Sequence, residues 1–239
     1  AMVRVAEWLS VAAMELSSTL FPHYCLVCGE RLSADRLMIC PACLDLLPRY
    51  PGSEALYDAE KRIEGHAPFT EYRSDLGFTH HNPVRDLIHT IKYEGHPELG
   101  ERLGQLFAPE HLRAGHFADI GVAVPVPLTP RRLRRRGYNQ STYIARGLTG
   151  VLGIPLDETL LARCDSTGTQ THRGREARWA SMREAFYVPD PDKVSRRRIL
   201  IIDDVLTTGA TLSACALALM EAGAESVSYY TLACGERTI

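Results

Sequence analysis

The sequence predicts an α/β protein in which a parallel sheet flanked by helices follows a small N-terminal four-cysteine appendage. Three observations carry this expectation. Apolar strand-like runs alternate with helical patterns from residue 120 onward, which implies βαβ units and a mainly parallel sheet. Cysteines stand in two C-x-x-C pairs, Cys25 with Cys28 and Cys40 with Cys43. Between the pairs and residue 70 lies a stretch with Pro48, Pro51, Gly52, Gly65 and Pro68 and little apolar periodicity, the expected boundary. A length of 239 residues fits one sizeable domain plus an appendage. The expected organisation is an N-terminal helix and four-cysteine zinc knuckle over 1–60 and the α/β domain over 61–239.

Taken in order, Val3 to Ser17 reads as an amphipathic helix, because Glu7 and Glu15 interrupt its apolar residues. Those glutamates spoil the apolar core of a signal peptide, and no run of about 18 uncharged apolar residues exists. The expectation is therefore a cytoplasmic protein without a membrane span. The cysteine pairs form C-x2-C-x11-C-x2-C, which supplies four thiolates to a tetrahedral metal. Zinc is favoured over an iron–sulfur cluster, and a site with no vacant ligand position is structural. Beyond the boundary, Leu76 to Thr79 can form a strand, Asn82 can cap a helix starting at Pro83, and Pro97 can start another. Ile120 to Val126 reads as a strand. Asn139 to Leu152 reads as a helix with Ile144, Leu148, Val151 and Leu152 on one face, ended by Gly153. After a polar stretch come the strand Ile199 to Ile202, a helix aligning Leu212, Cys215, Ala216 and Leu219, and the strand Val227 to Leu232. His80, His81, His89, His96 and His172 show no ligand spacing with an acidic partner.

The segment Ile199-Leu-Ile-Ile-Asp-Asp-Val-Leu-Thr-Thr-Gly-Ala-Thr211 joins a buried strand through a turn to a helix. Asp203 and Asp204 emerge where the strand is expected to end, and their carboxylates can accept hydrogen bonds from vicinal ribose hydroxyls. Thr207, Thr208, Gly209, Ala210 and Thr211 then place N–H groups and hydroxyls at a helix N-terminus, where unpaired donors and the dipole favour a phosphate.

This segment resembles the phosphoribosyl-pyrophosphate signature of type I phosphoribosyltransferases, in which the acids hold the ribose and the loop holds the 5-phosphate. Val124-Pro-Val-Pro127, Arg136-Gly-Tyr-Asn-Gln140, and Arg163 followed by Gln170, Arg178 and Phe186 resemble the ComF (ComFC, also GntX-like) family. With the cysteine pairs and Lys92-Tyr-Glu-Gly95, the resemblance spans nearly the whole chain. It implies a type I phosphoribosyltransferase-like fold, 5-phosphoribosyl-1-pyrophosphate as ligand and Mg2+ bound with it. Asp203 and Asp204 are then the candidate catalytic pair. Lys92-Tyr93 is a further family-matching candidate, with a packed helix end as the competing reading. One departure matters: in purine-using members of the superfamily an aspartate opens the phosphate loop, whereas Thr207 stands here and cannot act as a general base near neutral pH. Ser181 stands where the family often carries Asn.

Charge is nearly balanced, 27 Lys and Arg against 29 Asp and Glu, yet Arg131, Arg132, Arg134, Arg135 and Arg136 fall in one short turn. They can neutralise a pyrophosphate or follow a nucleic-acid backbone, or form a solvated turn. Arg136 is the leading single residue, because Gly137 after it permits close approach. Asn139 reads equally as a helix cap or a ligand. Cys164 to Arg178 reads as a mobile loop over the site, from which Gln170, Arg173 and Arg178 can reach the pyrophosphate.

Two functions follow. One is phosphoribosyl transfer to an acceptor the sequence does not identify. The other, implied by the ComF resemblance, is a single-stranded DNA-binding competence protein that works with DNA-uptake proteins in natural transformation. There the zinc knuckle, the arginine turn and stacking by Tyr138 or Tyr143 would form the surface.

Overall fold

A computed structural model describes residues 23–32, 38–50, 57, 60–63, 67–79, 81–165 and 185–235. The described residues through Leu47 form one compact unit and those from Pro48 a second. The Val3 to Ser17 helix, most of the Cys164 to Arg178 loop, and Ser181 lie outside the described residues.

In the first unit, β1 (His23–Tyr24) and β2 (Arg31–Leu32) pair antiparallel, and α1 (Pro41–Asp45) follows. In the second, β3 (Tyr72–Phe78) leads to α2 (Pro83–Tyr93) and α3 (Pro97–Ala114). Then come β4 (Val122–Pro125), α4 (Pro130–Arg136) and α5 (Gln140–Leu152). A small antiparallel pair, β5 (Ala162–Arg163) with β6 (Phe186–Tyr187), precedes β7 (Arg198–Leu206), α6 (Ala210–Glu221) and β8 (Ser226–Gly235). A proline occupies the first turn of α1, α2, α3 and α4, where its missing N–H would be unpaired in any case.

The main sheet has four strands in the order β3-β8-β7-β4, every neighbouring pair parallel. Its central strands are apolar on both faces, as burial between helices requires. On one face α6 packs Leu212, Cys215, Ala216 and Leu219 against Ile199, Ile201, Val124 and Tyr229. On the other, α3 reaches the sheet through His111, whose ring meets Asp75 of β3 at 3.1 Å, while Tyr230 of β8 donates to the same carboxylate at 2.5 Å. Helices α3 and α5 cross at backbone contact. A Cβ on Gly147 would collide with the Glu101 carbonyl oxygen, and one on Gly104 would stand 2.6 Å from that of Ile144. Only glycine fits there.

Parallel pairing puts the C-terminal ends of β3, β4 and β7 along one edge. The connections after β4 and β7 therefore face the same crevice, where ligands bind in such sheets.

Two expectations need correction. Strand β7 runs to Leu206, so Asp203 and Asp204 lie inside the strand rather than after it. Arg131 to Arg136 is not a turn but part of a seven-residue helix, because Thr129 accepts a hydrogen bond from the Arg132 N–H, Pro130 starts the first turn and Gly137 closes the last in the left-handed conformation.

Candidate ribose-phosphate site

Asp203 and Asp204 are buried, at 9% and 4% exposure. Their surroundings differ. Oδ1 of Asp203 accepts hydrogen bonds from the Ser141 hydroxyl at 2.8 Å and from the Asp204 N–H at 2.9 Å. Burial first, and then the Asp204 charge, push the Asp203 pKa up to about 7, against the pull of Lys92 and Ser141. Asp204 Oδ1 pairs with the Lys92 ammonium at 2.9 Å. Burial alone would lower the Lys92 pKa, but Asp204 outweighs it and raises it. Oδ2 of Asp204 is buried without a hydrogen-bond partner among the described residues. A buried carboxylate oxygen left bare is unfavourable, and hydroxyl donors of a ligand would complete it.

The loop begins at exposed Thr207 and Thr208 and enters α6 through Gly209, whose φ of 78° belongs to the left-handed region. Gly209, at the N-cap of α6, has no side chain to cap it, and the Ala210 N–H reaches the Thr208 hydroxyl at 3.4 Å. Thr211 follows, half-buried in the first turn. The helix end thus presents backbone donors and hydroxyls in the arrangement an anion uses.

Across the crevice α4 buries none of its residues. Arg131, Arg132, Arg134 and Arg135 are exposed; the Arg131 N–H donates to Asp165 at 3.2 Å. Arg136 differs from them. Its guanidinium lies over the Tyr93 ring, 4.9 Å from the centroid, and donates to the Gln140 side chain. Gly137 forms the C-cap of α4. Asn139 takes the capping role, accepting from the Ser141 N–H at 3.2 Å and donating to the Val126 carbonyl at 3.0 Å. Tyr138 and Tyr143 pack edge to face at 6.1 Å. Gln170, Arg173 and Arg178 lie outside the described residues.

The structure adds neighbours that the acid-and-loop motif does not contain. Lys92, at the end of α2, and Ser141, in the first turn of α5, complete the polar shell of the acid pair. Arg163 lies over Phe186, 4.8 Å from the ring centroid, and its Nε is buried without a partner among the described residues. Burial and then Arg132 lower its pKa, while Asp203 lies within its electrostatic reach. In the sequence, the ComF-like Lys92-Tyr-Glu-Gly95 and Arg163 signal two of these, and nothing signals Ser141.

In the first unit the four sulfur atoms of Cys25, Cys28, Cys40 and Cys43 lie within 4.8 Å of one another. The Cys28 and Cys40 sulfurs are 3.8 Å apart. A tetrahedron with Zn–S bonds of about 2.3 Å has edges of about 3.8 Å, so this spacing fits the metal. The Cys40 N–H points at the Cys25 sulfur at 3.3 Å and the Cys43 N–H at the Cys40 sulfur at 3.4 Å, an arrangement that favours thiolates. Burial raises the Cys25 pKa, but backbone N–H groups around it prevail and hold it at about 6. The cluster can bind zinc.

A four-stranded parallel sheet flanked by helices, an acid pair in its central strand and a loop running into a helix N-terminus form an α/β domain with the layout that the type I phosphoribosyltransferase resemblance leads one to expect, here with a four-cysteine cluster near the N-terminus. The chain has homologues named for competence and DNA utilization. It is 29% identical over 211 residues to "DNA utilization protein YhgH" of Salmonella typhimurium, covering 87% of this chain and 88% of the relative. It is 26% identical to "Competence protein F" of Haemophilus influenzae, over 89% of this chain and 97% of that one. With "Competence protein ComFC" of Bacillus subtilis it shares 28% identity over 65% of this chain and 61% of the relative. The ComF resemblance drawn from the sequence is borne out. No family model matches. Among solved structures, it is similar to an allosteric regulatory enzyme of purine biosynthesis, at 20% identity and a TM-score of 0.42 over 59% of this chain. A glutamine phosphoribosylpyrophosphate amidotransferase from B. subtilis matches at 19% and 0.42. The chain spans 29% and 30% of those two structures. Among the described residues no helix is long and apolar enough to cross a membrane.

Proposed function

We propose that the protein binds 5-phosphoribosyl-1-pyrophosphate in the crevice at the end of β7. Asp203 and Asp204 accept hydrogen bonds from the ribose hydroxyls, and Thr207 to Thr211 hold the 5-phosphate. Arg136 and Arg178 take the pyrophosphate, and Mg2+ enters with it to offset its charge. The observation that supports this most is the buried Oδ2 of Asp204, which has no partner among the described residues while Oδ1 pairs with Lys92. In phosphoribosyl transfer, an acceptor would attack the anomeric carbon as pyrophosphate leaves, and the arginines would stabilise the leaving charge. Thr207 offers no base, so the acceptor must bring its own nucleophile or be activated by another group. Co-crystallisation with phosphoribosyl pyrophosphate and Mg2+ tests the reading. Density for the ribose on Asp203 and Asp204 is expected; ligand bound only elsewhere would overturn it.

A second reading is favoured by α4, a helix that buries nothing and exposes Arg131, Arg132, Arg134 and Arg135. Relatives named for competence and DNA utilization support a DNA-related role, and single-stranded DNA is the form proposed here for this surface. The two functions are compatible, with the ribose-phosphate site sensing ligand while another surface carries DNA.

A further inference from the structure

We infer that Arg62 is a positioning residue that sets the orientation of the Thr207–Thr208 peptide group, and through it the affinity of the loop for a phosphate. The inference rests on the ribose-phosphate reading above and concerns a residue outside every motif that led to it. One Nη of Arg62 donates to the Thr207 carbonyl at 2.8 Å and to the Gly235 carbonyl at 2.8 Å; the other reaches the Cys234 sulfur at 3.4 Å. Thr207 follows the end of β7 and Gly235 ends β8, so a single guanidinium ties two neighbouring strand ends together.

The same segment supports the loop again, two residues later. The Arg62 carbonyl oxygen and a side-chain carbon of Ile63 stand 3.0 and 3.3 Å from where a Cβ on Gly209 would be. Ile63 is fully buried in the core beside α6. Residues 62 and 63 thus meet the loop at both ends, by hydrogen bond at Thr207 and by contact at Gly209.

The consequence follows from peptide geometry. The described backbone has no cis peptide bonds, and in a trans peptide the carbonyl of one residue and the N–H of the next point in opposite directions. A Thr207 carbonyl held on Arg62 therefore turns the Thr208 N–H away from Arg62. If the peptide turned over, the loop would present a carbonyl oxygen to the phosphate instead of a donor. Arg62 opposes that inversion with a charge-assisted bond, which is stronger than a neutral one and polarises the peptide so that its N–H is a better donor.

Calorimetric titration of Arg62→Met and Arg62→Lys with ribose 5-phosphate, and separately with inorganic pyrophosphate, tests this. Arg62→Met should weaken ribose 5-phosphate binding by about tenfold, the scale of one oriented hydrogen bond, and leave pyrophosphate affinity unchanged. Arg62→Lys, which keeps the charge but loses the fork, should fall between, and it decides the question if the Met variant does not fold. In nitrogen-15 spectra the Thr208 amide should move on adding ribose 5-phosphate to the wild type and move less in the variants. Variants that bind ribose 5-phosphate as the wild type does, or that lose both anions equally, overturn the inference. A wild-type protein that binds no ribose 5-phosphate overturns the proposed function, and this inference with it.

Discussion

Asp203 is largely shielded from solvent, next to a second carboxylate, with one cation shared between the two. A chain selected for stability alone would place Asn or an apolar residue there, so the acid pair marks a site whose chemistry opposes the fold. The sign of its pH effect follows. The folded-state pKa, about 7, lies above the unfolded value, so folding favours the neutral acid. That contribution is fully present below about pH 4 and is lost as the pH rises through about 7. Asp203→Asn cannot ionise and keeps an oxygen for Ser141 and the Asp204 N–H. Its melting temperature should gain on the wild type across that window, with a larger gap near pH ~8 than near pH ~4 by the same linkage. Scanning calorimetry at both pH values reads the difference; an equal gap would mean that Asp203 ionises freely in the folded protein.

The contact of α3 with α5 depends on residues that lack side chains. Gly147→Ala drives a methyl into the Glu101 carbonyl and should destabilise the protein by about 3 kcal/mol in urea unfolding; a change within about 0.5 kcal/mol would show that the helices part easily. Helix α4 makes the opposite case, since it has no packing to lose. Replacing Arg131, Arg132 and Arg134 with Gln should leave stability untouched and lower the salt slope of single-stranded DNA binding by about two, roughly 0.7 per phosphate contact. Fluorescence anisotropy against salt gives the slope, and an unchanged slope would make these arginines a solvated surface. The same contrast explains what the sequence reveals. Strands β7 and β8 are legible because central parallel strands are apolar on both faces. The end of β7 is not, since two aspartates look like the end of a strand until Lys92 and Ser141 are set against them. Helix α4 hides because it buries nothing and so has no apolar period, although Thr129, Pro130 and Gly137 bracket it. The acid pair and phosphate loop are contiguous and can be read directly. Ser141 and Arg62 come from other elements and meet the site only through the fold; Lys92 and Arg163 also come from other elements, but the ComF resemblance marks them in the sequence.

The chain joins a domain built on an apolar sheet to a smaller unit that carries the four-cysteine cluster. Four cysteines in its first unit can hold a metal, and with zinc bound there the coupling of metal binding to local folding is the expected outcome. Metal analysis of a fresh preparation should give one zinc per chain, and Cys40→Ser should lose the zinc while the phosphoribosyltransferase-like domain still melts cooperatively. Iron with visible charge-transfer absorption, or protein that keeps zinc without Cys40, would contradict the four-cysteine assignment. The central claim concerns the larger domain, and isothermal titration with phosphoribosyl pyrophosphate and Mg2+ tests it most directly. Wild-type protein should bind one equivalent, and the Asp203→Ala, Asp204→Ala double variant, folded by circular dichroism, should bind at least about 100-fold more weakly, the scale of two charge-assisted hydrogen bonds lost. No binding by the wild type, or equal binding by the double variant, would contradict the account.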